Sequence, residues 1–155
     1  MPPTKCCWDT TVFLAILTGE HHAPDEIAAM MEVVDAADAG RATIISSVTL
    51  KSEVLNSDAF PTLRADIDAL FSRPNYIMYD VTPGISDLFA DIRESARRDG
   101  RKIKTSDATF IATAIAHRAA ALHTFDHQVI GLHASAHVQG LTICPPRGEQ
   151  TVLGL

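Results

Sequence analysis

Five short runs of β-branched and other apolar residues, KCCW, ATIIS, NYIMYD, ALHTF and GLTIC, are separated by longer stretches with helical spacing. That alternation is the pattern of an α/β domain, because parallel strands are joined by crossovers that are usually helices. The chain therefore reads as a three-layer α/β/α fold with a central parallel sheet of about five strands.

Local signals punctuate the helices. TTVFLAILTG is expected to stop at Gly19. HHAPDEIAAMMEVVDAADAG reads as a helix with Ile27, Met30, Met31 and Val34 on one face and Gly40 at its end. SVTLKSEVLN follows the second strand as a helix, and FPTLRADIDALFS is a short one bounded by Pro61 and Pro74. In TPGISDLFADIRESARRDG, Thr82 is the predicted N-cap, Pro83 the first helical residue and Gly100 the stop. Ile85, Leu88, Phe89, Ile92 and Ala96 form its buried stripe. SDATFIATAIAHRAA is apolar on more than one face, which predicts a buried helix. At 155 residues the chain is expected to be a single domain, with its core over 5–143 and a Pro- and Gly-containing tail over 144–155.

A net charge of −6 argues against nucleic-acid binding by a broad basic surface. The cations are unevenly spread: Arg93, Arg97, Arg98, Arg101, Lys102 and Lys104 cluster in RESARRDGRKIK. Such a run is a solvated helix end or a local phosphate-contacting patch. The three cysteines give no even disulfide framework, and Cys6 and Cys7 read as reduced core residues of a cytoplasmic protein. The apolar run near the N-terminus is short and broken by Asp9, unlike a signal peptide, and no segment approaches a membrane span.

In open parallel sheets, sites form beyond the carboxyl ends of the strands. Asp9 follows the first strand, Glu53 lies in the helix after the second, Asp107 in the first turn of the buried helix, and Asp126 follows the fourth strand. Singly, each has an ordinary explanation as a turn residue, a helix-dipole partner or a solvated side chain. Gathered at one edge, they would repel one another and raise their pKa values unless a cation neutralised them, and hard oxygen ligands suit Mg²⁺ or Mn²⁺.

The set WDTTVFL, SSVTLKSEVL, SDATFIATAIAH and HTFDHQV, in that order, resembles the PIN domain family of metal-dependent nucleases, most closely its small single-domain toxins of the VapC type. The resemblance implies that Asp9, Glu53, Asp107 and Asp126 are the acidic positions of the site. Asp9, Asp107 and Asp126 would hold Mg²⁺ or Mn²⁺, directly or through water, with the role of Asp126 water-mediated. Glu53 would act as general base in hydrolysing RNA to a 5′-phosphate and a 3′-hydroxyl. Thr10 and Thr124 would support the site. Thr11 stands where the family commonly has Asn; it keeps a hydroxyl, so weakened positioning is expected rather than lost activity. Arg101, Lys102 and Lys104 would contact flanking phosphates. The resemblance further implies a cognate antitoxin, and homodimers are common in the family. Met30 and Met31, adjacent on their helix, cannot both point at the same core face; methionine suits adaptable contacts with a partner, but the favoured reading is that both are at least partly core.

Other readings compete. A stand-alone or catalytically weak PIN-like RNA-binding module, not paired with an antitoxin, shares the same residues. A receiver-type phosphoacceptor would want paired acids after the first strand and a Lys after the last, and KCCWDTT and GLTICPPRG supply neither. His123 with His127, and His133 with His137, have zinc-like spacing, but the first pair is expected to diverge across the end of a strand. His127 reads as a rim residue, and His21 and His22 as surface-loop residues.

Overall fold

A computed structural model describes residues 2–19, 22–54 and 58–148. The strands are β1 (Thr4–Trp8), β2 (Ala42–Ser47), β3 (Tyr76–Tyr79), β4 (Ala121–His123) and β5 (Ile143–Cys144). All pair in parallel, in the order β3-β2-β1-β4-β5. The order runs outward from β1 in both directions, so β1 and β4 flank the point where the chain reverses its progress across the sheet. Crevices form at such points.

The helices are α1 (Thr10–Thr18), α2 (Pro24–Asp38), α3 (Thr49–Val54), α4 (Phe60–Phe71), α5 (Pro83–Arg98), α6 (Thr105–Ala116) and α7 (His127–Ile130). Successive residues of a strand point to opposite faces, and β1 shows what covers each face. The Cys7 thiol reaches the Phe110 carbonyl of α6 at 3.8 Å, while the Trp8 ring packs edge-on against Phe13 of α1, centroids 5.5 Å apart. Helices therefore cover both faces, giving the three layers expected. Every residue of β2 is buried, as a central parallel strand requires.

Most cap expectations hold. The left-handed conformation that ends α1 falls on Gly19 (φ 66°), where a side chain would be strained. The Thr82 hydroxyl accepts the Ile85 N–H at 3.2 Å, with Pro83 opening α5. The buried helix is α6, in which Ala108 through Ala114 are all buried. Cys6, Cys7 and Cys144 are buried, reduced thiols. Among the described residues, no helix is long and apolar enough to cross a membrane.

Two readings need correction. The core stripe of α2 is Met30, Val33, Val34 and Ala37, whereas Ile27 and Met31 are 42% and 41% exposed. Ile27 and Met31 are four apart and share a face, but Met31 sits about 100° round the helix from Met30. Only one of those faces meets the sheet. His22, expected in a surface loop, is partly buried and stacks on Phe125 with centroids 4.1 Å apart. His21 lies outside the described residues, as do Leu55 and Asn56 of the expected third helix and the tail beyond Gly148.

Candidate active site

Asp9 directly follows β1 in extended conformation (φ −88°, ψ −179°) and caps α1. Its Oδ1 accepts the Thr11 N–H at 3.0 Å and the Val12 N–H at 3.4 Å. Only 4% of Asp9 is exposed, and burial pushes its pKa up. The hydroxyls of Thr11 and Thr124 and the capping amides work against that rise. Asp126 has the equivalent place after β4: it caps α7, its Oδ1 accepting the Gln128 N–H at 2.8 Å. The aspartates that follow β1 and β4 are thus anchored by helix N-termini, where backbone donors and the helix dipole favour an anion.

Thr11 ties the two capped turns together. Its hydroxyl donates to Asp9 Oδ1 at 2.6 Å and accepts the Phe125 N–H at 2.9 Å. It also lies 3.4 Å from the Thr124 hydroxyl. Thr124 in turn accepts the Asp126 N–H at 3.0 Å. Replacing Thr11 by Val keeps the shape but orphans the Phe125 N–H and strips Asp9 of a donor. Urea denaturation should show a loss of about 1–2 kcal/mol, with Thr11→Ser close to wild type.

Behind this knot, the Trp8 indole N–H donates to His123 Nδ1 at 3.0 Å, and the Asp9 N–H donates to the His123 carbonyl at 3.3 Å. Burial drives the His123 pKa down to about 3, so the ring is neutral in the neutral pH range. Its Nδ1 is an acceptor, so the proton sits on Nε2, which has no partner among the described residues. The residue before each capping turn thus helps lock β1 to β4.

Glu53 lies near the end of α3, half-buried, and its Oε1 accepts the Thr10 hydroxyl at 3.0 Å. Burial raises its pKa first of all; Thr10 lowers it, Asp107 raises it and Lys104 lowers it. Asp107, in the first turn of α6, is pushed up to about 6 by burial, then by the charges of Asp126 and Asp9, with Lys104 again opposing. Asp107 therefore feels Asp126 and Asp9 and in turn acts on Glu53. Among the described residues, no three Asp, Glu, His or Cys side chains are grouped so as to hold an ion.

The expected cations divide. Arg97 and Arg98 pair with Glu94 within α5. Arg101, Lys102 and Lys104 instead line a cleft of about 630 Å³ together with Asp107, His127 and Gln128. Lys104 is close enough to ease two of the carboxylates. His127 is exposed at that cleft. The zinc-like histidine spacings bring no ligand pairs together. His123 is buried and His127 exposed. His133 Nδ1 accepts the Ile143 N–H at 2.9 Å, while His137 contacts Ser95 and Asp99. The Thr11 knot, the Trp8–His123 bond and the His22–Phe125 stack join residues far apart in the chain, and no sequence spacing announces them. The readable signals are the hydroxyls of Thr11 and Thr124 themselves.

The fold has known counterparts. Over 90% of this chain and 97% of the other, it is similar to a structure of VapBC2 from Rickettsia felis bound to a DNA fragment from its promoter, with 17% identity and a TM-score of 0.66. VapBC-1 from nontypeable Haemophilus influenzae is similar over 92% and 98%, with 14% identity and a TM-score of 0.64. VapC20 from Mycobacterium tuberculosis, described as a Sarcin-Ricin loop cleaving toxin, is similar over 81% and 93%, with 16% identity and a TM-score of 0.59. No curated protein matches the chain in sequence. At these identities the likeness is one of fold. The sequence profile of the PIN domain, however, matches residues 6–132, a span running from β1 to just beyond Asp126. On that match the chain belongs to the PIN domain family, a family of nucleases.

Proposed function

We propose that this protein is a Mg²⁺- or Mn²⁺-dependent endoribonuclease, the toxin of a toxin–antitoxin pair acting in the cytoplasm. The observation that carries the reading is Asp107. Its carboxyl is held up at about 6 by burial and by Asp126 and Asp9, in a cleft that also presents three cations. Acids kept together against their own repulsion suit a site that takes up a cation.

The donor set fits a hard divalent ion. Asp9, Asp107 and Asp126 offer only carboxylate oxygens, and Mg²⁺ binds through one or two carboxylates while keeping several waters. That habit suits acids that sense one another without forming a ready cage. A divalent cation bound there would offset charge on the scissile phosphate and make a nearby water more acidic. Glu53, fixed through Oε1 by Thr10 and raised in pKa, would take the proton of the attacking water. Thr10, Thr11 and Thr124 would hold the acids in place, and Arg101, Lys102 and Lys104 would take the phosphates beside the cleavage point. Ile27 and Met31 form an exposed apolar pair on α2 that suits a protein partner.

One observation favours a second reading, that of an RNA-binding module with weak catalysis: the lack of a ready metal cage among the described residues. Incubating EDTA-treated protein with single-stranded and stem-loop RNAs separates the two. Cleavage restored by Mg²⁺ or Mn²⁺ is the expected result. Metal binding without cleavage across the panel would favour the second.

A further inference from the structure

Beside the cleft that holds Asp107 lies another, of about 750 Å³, with which it shares Arg101, Lys102 and Ile103. Phe89 and Ile103 give the second cleft an apolar lining, while Arg93 and Arg97 of α5 add further cations. Its charge is not balanced. Glu94, also in the lining, is engaged by Arg97 at 2.8 Å and by Arg98 at 3.3 Å. Arg93 Nε donates to the Ile103 carbonyl at 3.2 Å and Arg101 to the Gly131 carbonyl at 3.5 Å. Those bonds orient the guanidinium groups without neutralising them. Among the described residues, no salt bridge engages Arg93, Arg101 or Lys102. Uncompensated cations beside an aromatic ring, in a chain of net charge −6, describe a local site for a polyanion carrying flat apolar groups.

We propose that this second cleft is a subsite for the RNA strand beyond the cleavage point, Arg93 taking a flanking phosphate and Phe89 a nucleobase. The identity of the strand rests on the ribonuclease reading above; the cleft and its charge do not. An extended single strand would pass from the acids over the Arg101–Ile103 segment into the subsite. A short substrate would fill only the first cleft. A peptide occupant would have to be acidic as well as apolar, whereas a nucleic acid has both features in every nucleotide.

Fluorescence anisotropy on the full chain in EDTA, with labelled oligouridylates of about 4 and 12 nucleotides over a range of KCl concentrations, tests this. Ala90 is exposed and lines the cleft, so Ala90→Glu introduces an anion without removing a contact. Arg93→Gln removes the cation. Each should weaken binding of the longer probe about fivefold or more and leave the shorter within twofold, with Arg98→Gln altering neither. Losing one phosphate contact should lower the salt slope by about 0.7 for a single strand. The proposal is overturned if wild type binds both probes equally, if both probes weaken together, or if Ala90→Glu leaves the longer probe unaffected. Loss of a co-purifying protein with RNA affinity retained would make the cleft a protein-docking face and overturn it too. Binding in EDTA is independent of cleavage, so the subsite and the nuclease reading fail separately.

Discussion

Replacing Asp9 by Asn should abolish metal-dependent RNA cleavage, a loss on the order of 10³-fold or more, and leave the fold intact. The fold survives because Asn is as good an N-cap as Asp. Its side-chain oxygen can still accept the Thr11 and Val12 amides that Asp9 Oδ1 engages. What disappears is a buried negative charge, and preorganised charge at a reacting centre commonly contributes 10²–10³-fold for a single group. Circular dichroism and a denaturant midpoint near that of wild type would show that the site, not the chain, has been damaged. Cleavage at the wild-type rate would remove Asp9 from the chemistry and with it the proposed metal set.

Asp107→Asn should separate stability from function. The folded pKa of Asp107 is raised above its ordinary value of 3.8 to about 6, so the native protein holds this proton more tightly than the unfolded chain does. Stability is then lost as pH rises through that window, and the whole penalty is present above about pH 6. Removing the charge should make the metal-free protein more stable at pH 7.5 and leave it unchanged near pH 3.5. The group is only about half-buried, so solvent screening reduces the gain. The favourable helix-dipole interaction in the first turn of α6 is lost as well. A net gain of about 0.5–1 kcal/mol remains, roughly 2 °C in melting temperature. With Mg²⁺ the order should reverse. Ligand binding at 100 times its dissociation constant stabilises by about 2.7 kcal/mol, and the variant should lose most of that. Thermal melts with EDTA and with Mg²⁺ check both parts. A variant that melts below wild type in EDTA at pH 7.5 would show that the charge is not a burden.

The layering was legible because its signals are local. ATIIS carries β-branching, Thr82 and Pro83 mark the start of α5, and α6, apolar on more than one face, announces its burial. The short elements were not: α7 has four residues, less than a period and a half of helix, so no pattern could betray it. That is why Asp126 read as an acid after a strand, when it is also the cap of a helix. Periodicity groups Ile27 and Met31 with the apolar residues of α2, because it shows which residues share a face and not which face is covered. The basic run was equally divided. Glu94 absorbs Arg97 and Arg98, while Arg101, Lys102 and Lys104 reach the cleft, a partition made only when the segment joining α5 to α6 meets α7.

The hydrogen bond between Trp8 and His123 joins residues 115 positions apart, and that separation has a consequence during synthesis. Contacts so distant in the chain form late, because the intervening loop must close first. A nascent chain that has reached only the end of α5 already contains Asp9 and Glu53, but not Asp107, β4 or Asp126. Without β4 the Asp9 turn lacks the carbonyl of His123, and Thr11 has no Phe125 amide to hold. At about 5–20 residues per second, about 4–15 s separate the synthesis of Glu53 from that of Asp126, before which the acids cannot meet. If those acids cut RNA, the ribosome and the message that encode them are out of reach of the unfinished protein.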